Sequence, residues 1–378
     1  MNQKNFVNFH ILISHSPSCL NRDDMNMQKT AVFGGVRRVR ISSQSLKRAI
    51  RISDYYKTNF DRSTRTRFLV ERMANEALSN AKDEAEKKNI ETTALYIAAL
   101  IEGKTKPEDI KKYKRADSGR IEHQVMPFHD TEIKGIKNIF ANALAKPAND
   151  KIDFIKSEIK TFEEQEKSKI TLDVALSGRM APSEILYDMD GALAVAHVIT
   201  THAVDGDIDW FTAVDDLAAD AGEMGAGHLN TQEFSAGVFY RYASLNIRQL
   251  QENLGGASRE RVLEIAKHVL HLLATVVPSA KQQTFAAHNP ADFALVSFAD
   301  QPISLANAFE APIKNGRNSG FLQPSMERLA EYWETINHKY SLNEQAAVFS
   351  LGDIALPDIL KPCATLPDLE TWVEKSGQ

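Results

Sequence analysis

Phe6-Val-Asn-Phe-His-Ile-Leu-Ile13, followed after a long loop by Val39-Arg-Ile-Ser-Ser-Gln-Ser-Leu-Lys-Arg-Ala-Ile-Arg51, decides how this chain begins to fold. The first run is rich in β-formers and partly alternating, so it reads as an opening core strand. The second starts with a brief extended piece at Val39 to Ile41, after which Ser42 or Ser43 offers an oxygen to cap a helix. At about 100° per residue, Leu46, Ala49 and Ile50 share one helical face, while Gln44, Lys47, Arg48 and Arg51 fall within roughly 100° of arc opposite. The helix carries a core stripe and a cationic stripe.

Outward from this pair, Ser14 to about Val36 reads as a long loop. From about Tyr55 to Lys169 the chain turns helix-favouring and lysine-rich, with amphipathic stretches such as Thr93 to Ile101 and Ile133 to Leu144. This is the pattern of an inserted helical subdomain, and its mixed charges read most simply as a solvated surface. Strand character returns at Ile170 to Leu176, Leu193 to Thr201, Val238 to Ile247 and Phe293 to Phe298. A helix capped by Ser258 places Val262, Ile265, Ala266, Val269, Leu272, Leu273 and Val276 at helical spacing. The order suggests an α+β fold built on βαββαβ, the split ferredoxin-like arrangement shared by RNA-recognition domains, although their aromatic signatures are not visible. Ser304 to Phe309, Pro324 to Ile336 and Leu366 to Val373 read as short C-terminal helices without evident chemistry.

The 378 residues, 43% apolar and 25% charged, are enough for a large ordinary globular core. No stretch approaches the roughly 20 apolar residues that span a bilayer, and no signal peptide is visible, so the expectation is a cytoplasmic protein without membrane contact. Cys19 and Cys363 lack metal or disulfide spacing, and no cofactor or metal is expected. The net charge of −5 alone argues against nucleic-acid binding. Its distribution argues the reverse. Residues 1–51 hold nine Lys or Arg against Asp23 and Asp24, a formal +7, whereas residues 205–233 hold eight acids and no Lys or Arg, a formal −8. That acidic segment reads as a long excursion between strands, with Gly222, Gly225 and Gly227 at its tip. The lysine and hydroxyl of a phosphate-binding loop are missing.

His10-Ile-Leu-Ile-Ser-His-Ser-Pro-Ser-Cys-Leu-Asn-Arg-Asp-Asp-Met-Asn-Met-Gln-Lys29, continuing into Phe33-Gly-Gly-Val-Arg-Arg-Val-Arg-Ile-Ser-Ser-Gln-Ser-Leu-Lys-Arg48, closely resembles the CasC backbone subunits of type I-E CRISPR Cascade. The resemblance recurs in Asp173-Val-Ala-Leu-Ser-Gly-Arg-Met-Ala181, from His202 through Asp207-Ile-Asp-Trp-Phe-Thr-Ala-Val-Asp-Asp216, in Thr231-Gln-Glu-Phe-Ser-Ala-Gly-Val-Phe-Tyr-Arg-Tyr242 and in Leu250-Gln-Glu-Asn-Leu-Gly-Gly-Ala-Ser-Arg259. Only the insertion and the extreme C-terminus diverge.

The resemblance implies a hand-like molecule: a palm in parts (1–56, 169–204 and 236–378), helical fingers (57–168) and an acidic thumb loop (205–235). Copies stack head-to-tail along one guide RNA beside other Cascade subunits and meet target DNA through the guide. Arg22, Lys29, Arg37, Arg38, Arg40, Ser42, Gln44, Lys47, Arg48 and Arg51 are then the expected RNA contacts; periodicity alone would make the helix stripe a solvated face. Met180 reads as packing by itself, whereas the resemblance implies a wedge between bases. Trp210 and Phe211 either pack within their own loop or, as the resemblance implies, displace bases at intervals without reading sequence. His268 and His271, three apart beside an apolar stripe, read as structural. Cys19 near His10 and His15 lacks the further groups a nucleophile needs. Two rivals remain. A ribonuclease would cut target RNA through Asp23, because related subunits use an acid in the comparable loop; a pure scaffold would contact no RNA. The preferred expectation is a non-enzymatic guide-RNA grip.

Overall fold

The computed structural model describes residues 3–166, 170–181, 188–213, 228–315 and 320–377; Gly222, Gly225, Gly227 and the middle of the acidic segment lie outside them. The chain divides into two compact units, Met1–Thr58 with Leu193–Arg248 and Ser258–Gln378, and Asn59–Ala192 with Gln249–Ala257.

The strands in chain order are β1 (Phe6–Ser18), β2 (Thr30–Phe33), β3 (Val36–Ile41), the second unit's β4 (Thr64–Thr66) and β5 (Met126–Phe128), then β6 (Leu193–Val195), β7 (Val198–Thr200), β8 (Asp207–Ala213), β9 (His228–Asn246), β10 (Phe293–Ala299), β11 (Gln345–Ser350) and β12 (Lys361–Cys363). The first unit's sheet runs β12-β11-β10-β1-β9-β7-β3-β2, with β6 and β8 also paired to β9. Its pairings are antiparallel except β11 with β12.

β1 is central, flanked by β9 and β10, and this explains its nearly continuous apolar run: both faces are covered, so alternation is suppressed. On one face Leu12, Tyr240, Tyr242, Phe293 and Leu295 pack with Leu329, Ala330 and Trp333 of the Leu322–Lys339 helix. Arg241, between the two tyrosines, points the other way, as strand alternation requires. Its Nη1 donates to the carbonyls of Leu273 (2.9 Å) and Val276 (2.7 Å) at the end of the Arg259–Thr275 helix.

The second unit is mainly helical. Its core gathers Val70, Met73, Ile90, Ile97, Ile101, Phe128, Ile139, Phe140 and Ile155 from the helices Leu69–Leu78, Glu84–Ile101, Asp130–Leu144 and Lys151–Glu166 and from β5.

Four expectations are corrected. Ile170 to Leu176 is not a strand: Leu172–Ser177 is a helix, closed by Gly178 at φ 76°. Local β-propensity loses there to tertiary bonds, because buried Asp173 accepts from the amide and hydroxyl of Ser63. The stretch before Val36 is not one loop, since β1 continues to Ser18 and β2 follows. The acidic excursion is, where described, a two-stranded ribbon, with β8 paired to the first part of β9 from Asp207↔Phe234 to Ala213↔His228. The C-terminal part also adds β11 and β12 to the sheet.

Candidate functional site

The Ser43–Ile52 helix begins where Ser42 Oγ accepts from the Ser45 amide at 3.2 Å. Ser42 itself is buried, and its amide donates to Asn21 Oδ1 at 2.8 Å, tying the helix start to the preceding loop. Leu46 and Ala49 are buried, so the opposite stripe faces outward: Gln44 and Arg48 are exposed, Lys47 and Arg51 half-buried. No acid occupies the first turn, which leaves the positive end of the helix dipole unopposed by its own side chains.

The loop leading to this helix is built rather than slack. Asp23 Oδ1 accepts from the amides of Met25 (2.9 Å) and Met27 (3.0 Å), Arg22 Nη1 donates to Asn26 Oδ1 (2.7 Å), and Asn26 sits at φ 63°. The Arg40 amide donates to the Lys29 carbonyl at 2.8 Å, and Arg40 Nη1 lies 2.8 Å from His197 Nδ1. Burial, then Arg40 and Lys29, lower the His197 pKa, so a neutral imidazole accepts from the guanidinium. Arg22, Lys29, Arg40, Gln44, Lys47, Arg48 and Arg51 therefore all belong to one unit, on segments locked to each other.

Three members of the expected set have partners inside the protein. Arg38 is 0% exposed. Its Nη1 donates to the Thr200 carbonyl (3.1 Å) and its Nη2 to that of Phe309 (2.8 Å), while the guanidinium lies 5.7 Å from the Phe33 ring centre. It is an internal brace and no phosphate reaches it. Arg37 Nη2 donates to Oε1 of buried Glu233 at 2.8 Å, an ion pair at the root of the β8–β9 ribbon. Ser42, likewise, serves first as a helix cap.

Met180 lies in the second unit. Gly178 has φ 76°, and a Cβ there would come within 2.8 Å of the Gly191 nitrogen and the Met189 oxygen, so only glycine allows the Arg179–Met189 bridge. Arg179 is buried and donates to both carboxylate oxygens of Glu132 at 2.9 and 3.1 Å. With its neighbour so anchored, Met180 stands 79% exposed, where core packing is excluded as its role. On the ribbon, Trp210 is 66% exposed with Ile208 beside it at 57%, so most of the ring is open to solvent. Phe211 follows in β8, with its side chain outside the described residues.

Cys19 is fully buried and burial raises its thiol pKa. His10 Nδ1 lies 2.9 Å from Tyr240 Oη, whose oxygen also accepts from the Leu305 amide at 3.1 Å. His268 meets Tyr55 Oη at 2.7 Å and His271 meets Glu370 at 2.9 Å, with Tyr55 stacked on His271. Among the described residues no group of three or more His, Cys, Asp or Glu could hold a metal ion, and no helix is long and apolar enough to cross a membrane. Sequence reasoning missed the buried Gln28–Glu233–Ser235 cluster: Glu233 Oε2 accepts from the Gln28 amide (3.0 Å) and Ser235 Oγ donates to Gln28 Oε1 (2.9 Å). Only the composition of Thr231-Gln-Glu-Phe-Ser235, polar within a strand, hinted at it.

The profile of a family described as CT1975-like protein matches residues 7–372. Among solved structures, a chain of one titled CRISPR RNA-guided surveillance complex, pre-nicking, is 28% identical, with 99% of this chain and 100% of that chain covered and a TM-score of 0.82. A chain of another, titled CRISPR RNA-guided surveillance complex, is 24% identical over 98% and 99%, with a TM-score of 0.72; that likeness shows the fold alone. No curated protein matches.

Proposed function

Because the chain belongs to the CT1975-like protein family, we propose that it is the repeating backbone subunit of a type I-E CRISPR RNA-guided surveillance complex, a non-enzymatic protein that grips guide RNA and assembles head-to-tail along it. The full-length likeness at 28% identity to a chain of a CRISPR RNA-guided surveillance complex supports membership in a complex of that kind. The observation that carries it is the outward cationic stripe of Ser43–Ile52 joined to the Arg22, Lys29 and Arg40 segments. Cations on a rigid frame neutralise successive phosphates without reading bases. Sequence recognition is then left to pairing between the guide and target DNA.

A ferredoxin-like, RRM-like palm is part of the proposal. The order β10-β1-β9-β7, with the helix Ser43–Ile52 lying between β1 and β7 in the chain and Arg259–Thr275 between β9 and β10, supports it. The second unit supplies the fingers and Met180 a base wedge; the β8–β9 ribbon is the thumb.

The thumb acts on the next copy. Glu233 is paired with Arg37 inside the chain, but the other acids of this segment, laid along phosphates, would still be repelled, whereas against the exposed cations of a neighbour they steer docking. Two different patches make a heterologous contact, which propagates until the RNA ends. Native mass measurement of the chain on single-stranded RNA tests this: several copies per RNA are expected, and deleting residues 206–232 should leave at most a weakly bound monomer. Normal multi-copy assembly after the deletion would refute trans-docking. Absence of any salt-dependent RNA binding would instead favour the scaffold reading.

A further inference from the structure

Glu233 is 3% exposed, and a carboxylate so buried needs partners on each oxygen. Oε1 accepts from Arg37 Nη2 at 2.8 Å and Oε2 from the Gln28 amide at 3.0 Å. Room for the group exists because residue 206 is glycine: a Cβ there would lie 2.2 Å from Oε1. Gln28 directly precedes Lys29, and Arg37 lies on β3 facing Val32 of β2. One carboxylate thus joins the Lys29 loop, the β2–β3 hairpin and the ribbon.

Glu233 pairs with Ile208 across the ribbon, and Trp210 is two residues further along β8. Directly opposed residues share a face, as do positions i and i+2, so Glu233 and Trp210 lie on the same face, about 7 Å apart along the strand. The ribbon is fastened at its root on the face that carries the exposed ring.

We propose that Glu233, held by Arg37, is a positioning residue that fixes where the ribbon presents Trp210 relative to the cationic loop, and that Arg37 serves this strut instead of a phosphate. The inference rests on the RNA-binding reading above. Taking Arg37 to a phosphate would strand a buried anion, a larger loss than an exposed ion pair returns.

Trp210 can be watched directly, since the other two tryptophans, Trp333 and Trp372, are 2% and 4% exposed. In the full chain, acrylamide quenching of tryptophan emission is measured with and without single-stranded RNA, beside the salt dependence of binding. RNA should shield Trp210 in the unmodified protein. Arg37→Ala should lose at least half of that shielding with an unchanged salt slope, Glu233→Gln should behave alike, and Arg37→Lys should restore it. Equal shielding in Arg37→Ala and the unmodified protein overturns the positioning role. So does a salt slope flattened by about 0.7, the signature of a lost phosphate contact. If RNA shields nothing in the unmodified protein, the thumb reading itself falls, and the strut with it.

Discussion

Arg38 and Arg48 lie ten positions apart in one basic run, and replacing each with alanine should affect a different quantity. Arg38 braces two buried carbonyls, Thr200 and Phe309, and two partly buried ones, Phe33 (3.3 Å) and Glu310 (3.4 Å). Leaving a buried acceptor unpaired costs about 1–3 kcal/mol, and part is regained because the guanidinium no longer has to be desolvated. A net loss of about 3–5 kcal/mol follows, seen as a fall of about 6–10 °C in the thermal midpoint. RNA binding by the folded fraction should keep its salt slope.

Arg48 is exposed, and Arg48→Ala should alter stability by less than about 0.5 kcal/mol. It should instead flatten log K against log salt by about 0.7, so that raising salt from about 50 to about 200 mM weakens binding about 2.6-fold less than in the unmodified protein. Several unrelated RNA sequences should respond alike, because a phosphate contact carries no base information. Denaturation curves and binding titrations at four salt concentrations measure both quantities. If Arg38→Ala flattened the slope as much as Arg48→Ala while the midpoint stayed put, the assignment of Arg38 as a brace would be refuted.

Gly178→Ala forces a residue with φ 76° and ψ 167° into a region essentially reserved for glycine and pushes Cβ onto backbone atoms; unfolding should become easier by at least about 2 kcal/mol in urea. Complementary RNA incubated with the chain, guide and magnesium should stay intact, since Asp23 already holds two amides; cutting that vanishes in Asp23→Ala would instead establish the ribonuclease. Burial lowers the pKa of His10 and of His15 to about 3, against about 6.5 unfolded. Below pH 6.5 the unfolded chain binds these protons first, so stability should fall on acidification by up to about 2.7 kcal/mol per pH unit for the pair. A flat urea midpoint between pH 6.5 and 5 would contradict that.

What the sequence reveals here is local chemistry. Ser42 and Ser258 cap the helices they mark, and Phe6 to Ile13, Phe293 to Phe298 and Val238 to Ile247, except Ile247, which opens a helix, lie in strands, because caps and apolar runs act within a few residues. The failures share long range. Nothing near Arg38 distinguishes it from Arg40, since its acceptors at Thr200 and Phe309 are 162 and 271 positions away. Leu172–Ser177 becomes a helix through a bond to Ser63, 110 positions back. Gln345–Ser350 has an apolar run only from Ala346 to Phe349, half of it alanine, and becomes a strand with β10 beside it. The charge asymmetry was legible, but only the ribbon shows that Trp210 is held outward on paired strands.

The division between frame and contact bears on how such a subunit treats an arbitrary guide. On the proposed reading, Arg22, Lys29, Arg40, Lys47, Arg48 and Arg51 meet phosphates, while Trp210 and Met180 offer apolar surface that any base can meet. The cations sit on segments braced from inside: Ser42 holds Asn21, the Arg40 amide holds the Lys29 carbonyl, and Arg38 ties β3 to β7 and the Phe309 turn. Bracing keeps the spacing between cations fixed whatever the RNA sequence, so the RNA adapts to the protein. A strand held at fixed spacing and interrupted by rings has part of its ordering entropy removed before a target arrives, which favours pairing without contributing to base choice. The buried Arg38, although it touches no RNA, then serves guide binding indirectly, through the stability of the frame that carries the exposed Arg48.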